Sequence, residues 1–540
     1  MDMKAVALKM AQDFIENEKE YQMGYISAEG SNENTRNMSQ CFEKSVTEGV
    51  NLLLKCDAHL VNSFKEAVSG SVYRELKAEI LDTLKRGGKI YFSGCGSSGR
   101  LCMRIEASFR EAMKKIAPIY EDSVESIMTG GEYALIRAVE SFEDYIVLGK
   151  RQVQKLGICE KDLLIGVTAT GETTSILGTA AGALEANCSV YMVVCSDPYV
   201  LLDKMERAKL VYSNPKTKVL LLDSGKMALT GSTRMQSSTI EQIVLCAAME
   251  EVIREIAGEA PVEMGKGFED AIGSMQTKEY VACLAEEITF EESLRRNDRN
   301  LTYFANEYVL DVLTDTTERA PTFNSPKFRP NKRHDMPLSW EFVKNPEYPT
   351  KEAWYHCFGR EPRCIDWDKS EYEKCGIHIE EKLNIDLAAL YEYEIGYEQD
   401  PEREAGDSVA IWIGFDGCGN FDNAAKGYKE THKMYSEAAL QSLQIMPTYM
   451  NMFQHIVMKM SLNIVSTATM ARIGRIWGNY MIYLDISNKK LVDRAARIIS
   501  ELAQLPYDKA LFELFYSQLY MKQENVTGSP VQYTLERLGV

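Results

Sequence analysis

Between Lys89 and Ile256 the chain alternates short apolar runs with stretches of helical periodicity, and this alternation narrows the fold more than anything else in the sequence. Lys89 to Ser93 reads as a strand that falls into the glycine loop GCGSSGR (94–100), with a helix from Gly99. A helical stretch follows over 130–151, then a strand (162–170), a helix (173–188), a strand (190–196), and a strand, loop and long helix over 218–256. Strands that repeatedly feed helices predict an α/β fold built on a parallel, doubly wound sheet. In such sheets ligands bind beyond the carboxyl ends of the strands.

The 540 residues exceed one ordinary hydrophobic core, so more than one domain is expected. Residues 1–85 read as a helical segment and 86–264 as the first α/β domain. The pattern loosens over 265–460, where LTYFAN (301–306) and VAIWIGF (409–415) suggest a second, degenerate α/β domain. A proline- and aromatic-rich insert at 325–367 interrupts it, and a satellite core beneath a long loop is the favoured reading of that insert. Residues 461–540 read as a helical region.

A net charge of -18 opposes binding to nucleic acid or anionic membrane, both of which call for a basic surface. An anionic ligand would need a local positive site. The first twenty residues mix charge with apolar positions and lack a signal-type apolar core, and no segment approaches a membrane span. Thirteen cysteines without CxxC clusters fit a reduced, cytoplasmic protein. No two of the six histidines stand at the helical spacing of a zinc pair, and Cys357, Cys364 and His356 are poorly spaced for one, so no metal is expected. No cofactor is expected either.

Three loops carry the candidate chemistry. GCGSSGR offers the backbone of Gly96 and Gly99 and the hydroxyls of Ser97 and Ser98 at a helix entrance, which suits a phosphate, although steric relief at a tight turn explains the glycines equally well. TATGETTS (168–175) repeats the arrangement with Thr170 and Gly171, where helix capping is the competing explanation. LTGSTRMQSST (229–239) sets Ser232 and Thr233 before a long apolar helix. Three hydroxyl-rich helix entries on one sheet edge point to a ligand more strongly than any one of them.

GCGSSGR, TGGEYALIRAVESFED, GVTATGETTS, LTGSTRM and NIVSTATMARIGRIWGNYMIYLDISNKKL, in this order, resemble the sugar isomerase (SIS) domain family, in the branch that holds N-acetylmuramic acid 6-phosphate etherase and the glucokinase regulatory protein. The resemblance implies an SIS domain followed by a second, degenerate SIS-like domain and helices. It also implies a phosphorylated amino sugar or hexose phosphate held by Ser97, Ser98, Thr170, Gly171 and Thr233. Glu143 matches an acidic ligand-binding residue, with Glu140 as second choice, and Lys490 matches a lysine that reaches the ligand. Etherases carry an acid–base glutamate after the glycine loop, where this chain has Ser108 or Phe109, with Glu106 two places early. The missing segment resembles LDVLTDTTERAPTF (310–323), whose Glu318 falls in register with that glutamate.

This pattern implies a tandem duplication with a divided site: the first half keeps the cradle, the second keeps the carboxylate, and the chain acts as its own pseudo-dimer. Two functions stay open. One is a lyase that cleaves the lactyl ether of N-acetylmuramic acid 6-phosphate, with Glu318 and Glu143 catalytic. The other is a non-catalytic sugar-phosphate sensor with a protein partner. Aldose–ketose isomerisation shares the enolising step but fits the motifs less well.

Overall fold

The computed structural model describes residues 2–380 and 382–540, apart from the side chains of residues 140 and 141. The amino-terminal segment is helical, with Met3–Asn17, Met38–Lys44, α1 (Val46–Ser69) and Ser71–Lys85. Ser45 opens α1 by accepting from the Glu48 N–H, and Val50, Leu53, Leu54, Leu60 and Phe64 form its buried stripe. A capping hydroxyl and an apolar face at helical spacing are what a surface helix needs.

The first sheet has five parallel strands: β1 (Ile90–Gly94), β2 (Val124–Met128), β3 (Leu163–Val167), β4 (Ser189–Val194) and β5 (Thr217–Leu221). Their order is β2-β1-β3-β4-β5, with Ile90 beside both Val124 and Leu163. Every residue of β1 and β3 is buried, as expected of strands covered on both faces. Helices α2 (Gly96–Ile116), α3 (Thr174–Glu185) and α4 (Gln236–Ala257) follow β1, β3 and β5.

Two stretches depart from the sequence reading. Strand β2, VESIM, is not anticipated, because Glu125 and Ser126 interrupt its apolar pattern. In the fold both are paired: Ser126 donates from its N–H (2.8 Å) and hydroxyl (2.7 Å) to Glu106, and Glu125 faces Arg363 at 2.8 Å. The expected helix over 130–151 is broken. Gly130 and Gly131 take positive φ (88° and 74°), short 3-10 turns occupy Glu132–Leu135 and Glu140–Asp144, and a helix runs only from Ile146 to Leu156.

The second sheet has four parallel strands, β6 (Leu301–Phe304), β7 (Glu341–Lys344), β8 (Val409–Trp412) and β9 (Glu430–Lys433), in the order β7-β6-β8-β9. This is the arrangement of β2-β1-β3-β4 in the first sheet. Helix α5 (Val309–Phe323) follows β6 as α2 follows β1. The stretch 325–367, read from sequence as an insert over a satellite core, supplies β7 and so belongs to this sheet. It also grips the first lobe: Arg360 and Arg363 donate to Glu106, and Arg360 to Glu132.

The final hundred residues are largely helical: α6 (Met452–Arg472), α7 (Lys489–Leu502), Tyr507–Glu524 and Pro530–Leu538. A two-residue hairpin, Ile476–Trp477 against Tyr480–Met481, separates α6 from α7. One continuous apolar core runs through both lobes, joining Phe92, Ile105 and Ile243 to Leu313 and Val465. Each such side chain contributes about 1.5–3 kcal/mol by leaving water. No helix among the described residues is long and apolar enough to cross a membrane.

Candidate functional site

The carboxyl ends of β1 and β3 open onto a cleft of 160 Å³, with an adjoining space of 120 Å³ against the glycine loop. Helix α2 begins at Gly96, which adopts φ +54°, a left-handed value that glycine reaches without steric cost. The N–H groups of Gly96, Ser97 and Ser98 precede the first intrahelical acceptor, and a helix entrance of this kind attracts anions. Ser97 and Ser98 line the inner space, as do Thr168, Thr170 and Thr173 from the loop after β3. The loop ahead of α4 adds Gly231, Ser232, Thr233 and Arg234.

The later half of the chain closes the cleft. Helix α5 brings Glu318, Pro321 and Thr322, and α7 brings Asn488, Lys490, Leu491 and Arg494. Glu318 pairs with Arg100, a fully buried side chain of the glycine-loop helix. A Cβ at Gly96 would stand 3.8 Å from the Glu318 carboxylate. Asn488 caps α7 through the Leu491 N–H and donates to Glu143 at 2.6 Å. Glu318 and Glu143, 175 positions apart in the chain by the numbering, thus line one cleft.

Charge accumulates here against the acidic background of the chain. Lys490 meets Glu172 at 3.1 Å, Arg207 meets the same carboxylate at 3.2 Å, and Arg494 meets Glu29 at 2.5 Å. Burial opposes the charge on Glu172, but Lys490 and Arg207 more than offset it and hold the carboxyl below its usual range. Burial likewise opposes the charge on Lys490, yet Glu172, Glu143 and Glu29 raise it above the ordinary lysine range, so it stays an ammonium. The Cys95 thiol is pushed well up, by burial first and then by Glu143, and remains protonated.

The candidates from sequence do not all face the cleft. Gly96, Ser97, Ser98, Thr170, Ser232, Thr233, Lys490, Glu143 and Glu318 line it. Gly99 does not: a Cβ there would lie 2.1 Å from Met128 Sδ and 2.8 Å from the Gly94 carbonyl oxygen, so this glycine lets α2 close on the sheet. Gly171 (φ +76°) also faces away, its carbonyl accepting from the Tyr212 hydroxyl at 2.7 Å. The Ser98 hydroxyl donates to Glu241 at 3.0 Å. The side chain of Glu140 lies outside the described residues.

Several contributors had weak or no signals in sequence. Arg100 ends the quoted glycine loop and Asn488 stands two places before Lys490, so both lay inside motifs without a partner to give them a role. Arg494 and Glu241 sit in ordinary helical runs, and only the fold brings them here. Glu106, the early carboxylate of α2, is buried with Ser126, Arg360 and Arg363 and does not line the cleft. Among the described residues no group of His, Cys, Asp and Glu side chains is arranged to hold a metal ion.

Residues 72–184 match the family model of the glucokinase regulatory protein N-terminal SIS domain. The chain is 26% identical over 255 residues to N-acetylmuramic acid 6-phosphate etherase of Clostridioides difficile (strain 630), covering 47% of this chain and 74% of the relative. It is 32% identical over 167 residues to the enzyme of the same name from Yersinia pestis (strain Pestoides F), covering 30% of this chain and 50% of that relative. The chain thus spans half to three quarters of the length of these relatives. A solved tagatose-6-phosphate ketose/aldose isomerase from Escherichia coli aligns at 9% identity and a TM-score of 0.40, over 78% of this chain and 93% of the other. Residues 72–184 of this chain thus match an SIS domain of the glucokinase regulatory protein type, and the chain is similar over 167 to 255 residues to N-acetylmuramic acid 6-phosphate etherases.

Proposed function

We propose that the cleft binds a phosphorylated amino sugar and cleaves the lactyl ether at C3 of N-acetylmuramic acid 6-phosphate. One observation carries the reading: the Glu318 carboxylate of α5 stands beside the glycine loop of α2, so a carboxylate and an anion-attracting helix entrance share one cleft. The phosphate occupies the N–H groups at the start of α2, with the hydroxyls of Ser97, Thr170 and Thr233 and the ammonium of Lys490 around it. Glu318 takes the C2 proton of the opened sugar, which the neighbouring aldehyde acidifies. The C3–O bond then breaks with its electrons on oxygen, lactate leaves with a proton, and water adds at C3. Glu143, oriented by Asn488, positions the sugar. The phosphate grip supplies positioning, and the reaction is proton transfer.

A second reading draws on the domain match to the glucokinase regulatory protein and on the Arg100–Glu318 pair, which engages the carboxylate. In that reading the cleft only senses the phosphosugar and a protein partner responds.

Incubation with N-acetylmuramic acid 6-phosphate and an assay for D-lactate separates the two. The lyase reading expects lactate from the wild type and a loss of about 10²–10⁴-fold in Glu318→Gln, as for removal of an acid–base group. No lactate, with a phosphosugar-dependent rise in melting temperature, supports the sensor. Absence of both effects rejects the site.

A further inference from the structure

The second sheet has its own cavity, of 580 Å³, at the carboxyl ends of β6 and β8 and the entrance of α6. The register that sets Glu318 opposite Ser108 also sets Phe304, the end of β6, opposite Gly94, the end of β1. The cavity is therefore the counterpart of the cleft, with the lobes exchanged. The cleft takes Glu318 from α5, and the cavity takes Arg104 and Glu111 from α2.

The chemistry of this cavity differs from that of the cleft. Its glycine loop is replaced by Asn306, Glu307 and Tyr308. The side chain of Arg104, 7% exposed, lines the cavity, and its Nε has no hydrogen-bond partner among the described residues. Its nearest carboxylate is Asp311 at 3.7 Å, which also holds His455 Nδ1 at 2.9 Å. An orphaned, buried guanidinium N–H costs free energy that a ligand oxygen would restore. Above this floor Tyr308 and Phe415 stand edge to face, 5.3 Å apart, and form an aromatic wall. Exposed Glu307 and Asp416 stand at the rim.

Rim carboxylates repel a phosphate, and a loop without glycine lacks the cradle that the cleft offers it. An aromatic wall suits the C–H face of a sugar ring, while buried arginine and rim carboxylates suit its hydroxyls. An ammonium group would add attraction at the rim. We infer that this cavity is a second ligand site, for an unphosphorylated sugar, amino sugars best of all, and that it fills independently of the cleft. The inference does not rest on the lyase reading.

Calorimetric titration with glucosamine and glucosamine 6-phosphate, and crystals of the full chain soaked with each, test it. Glucosamine is expected in the cavity, with equal affinity for wild type and Glu318→Gln. Asp416→Asn and Phe415→Ala, at partly exposed rim and wall positions, are each expected to weaken it by about 10-fold, the worth of one charge-assisted bond or ring contact. Arg104→Met should weaken it further, and the two rim variants keep the test decisive if that buried change prevents folding. Three results overturn the inference: no glucosamine binding, glucosamine found in the cleft and lost with Glu318→Gln, or glucosamine 6-phosphate occupying the cavity as well as glucosamine does.

Discussion

Ser98 and Glu241 set the behaviour of the glycine loop at the level of single atoms. The Glu241 carboxyl is wholly buried, accepts from the Ser98 hydroxyl at 3.0 Å, and lies 3.9 Å from the Cys195 thiol. Burial pushes it up to about 8, against the pull of Ser98 and of distant Lys459, so near neutrality it carries its proton. A neutral Glu241 can donate to Ser98, which frees the serine hydrogen for a ligand anion. The sign of the stability effect follows. An unfolded glutamate ionises near 4.5, while the folded one holds its proton to about 8, so the native state binds more protons between these values and loses stability as pH rises through them. The melting temperature of the wild type is expected to fall from about pH 5 to about pH 8 more steeply than that of Glu241→Gln, which has no proton to lose. Parallel curves would show that Glu241 ionises like an exposed glutamate.

Between elements, the junction of α5 and α6 with the loop ahead of α4 depends on one buried carboxylate. Asp315 of α5 accepts from Arg234 (2.8 Å), Asn463 (2.8 Å), Ser466 (3.0 Å) and Arg319 (3.0 Å), all of them buried. Arg234 also reaches Thr467 at 2.8 Å, so the loop that presents Thr233 to the cleft is pinned to the second lobe. Asp315→Ala leaves two buried guanidinium groups without this partner and is expected to destabilise the fold by about 3–5 kcal/mol in urea denaturation. A cost below about 1 kcal/mol would mean that water replaces the carboxylate. The same elements show what a sequence can reveal. Strands β1, β3 and β4 were legible because parallel strands covered on both faces are nearly continuous apolar runs. The glycine loop was legible because its spacing is local, and Glu318 only because LDVLTDTTERAPTF resembles the etherase segment that carries a glutamate. β2 and β7 were not, since Glu125, Ser126, Glu341 and Lys344 lose their polar cost only through partners far along the chain, such as Arg363 for Glu125 and Arg319 for Glu341. Gly99 and Gly171 were read as ligand contacts because a turn glycine has the same local signature whether it faces a ligand or the neighbouring backbone.

Across the whole molecule, two sheets share the strand order β2-β1-β3-β4 and β7-β6-β8-β9, and both halves of the one chain line the cleft. A cleft shared between identical subunits would occur twice and would come apart on dilution. Here Arg100 and Glu318 belong to one covalent chain, and the core continues between the lobes, so the cleft is expected to survive dilution. The first lobe has Ser108 where Glu318 stands in the second, and the second lobe has no glycine loop, so exchanging the lobes between chains creates no new pairing beyond the one each chain already holds. A mixing experiment follows from this. Thr170→Val is expected to disable the cradle and Glu318→Gln the carboxylate. If each chain builds its own cleft, an equimolar mixture of the two variants shows the average of their separate activities, or of their phosphosugar binding if the cleft only senses, at every protein concentration. Recovery towards one quarter or more of the wild-type signal, growing with concentration, would mean that α5 of one chain reaches α2 of another, as in domain swapping. The continuous core between the lobes argues for the first outcome, because opening it would expose apolar surface worth about 25 cal/mol for every Å².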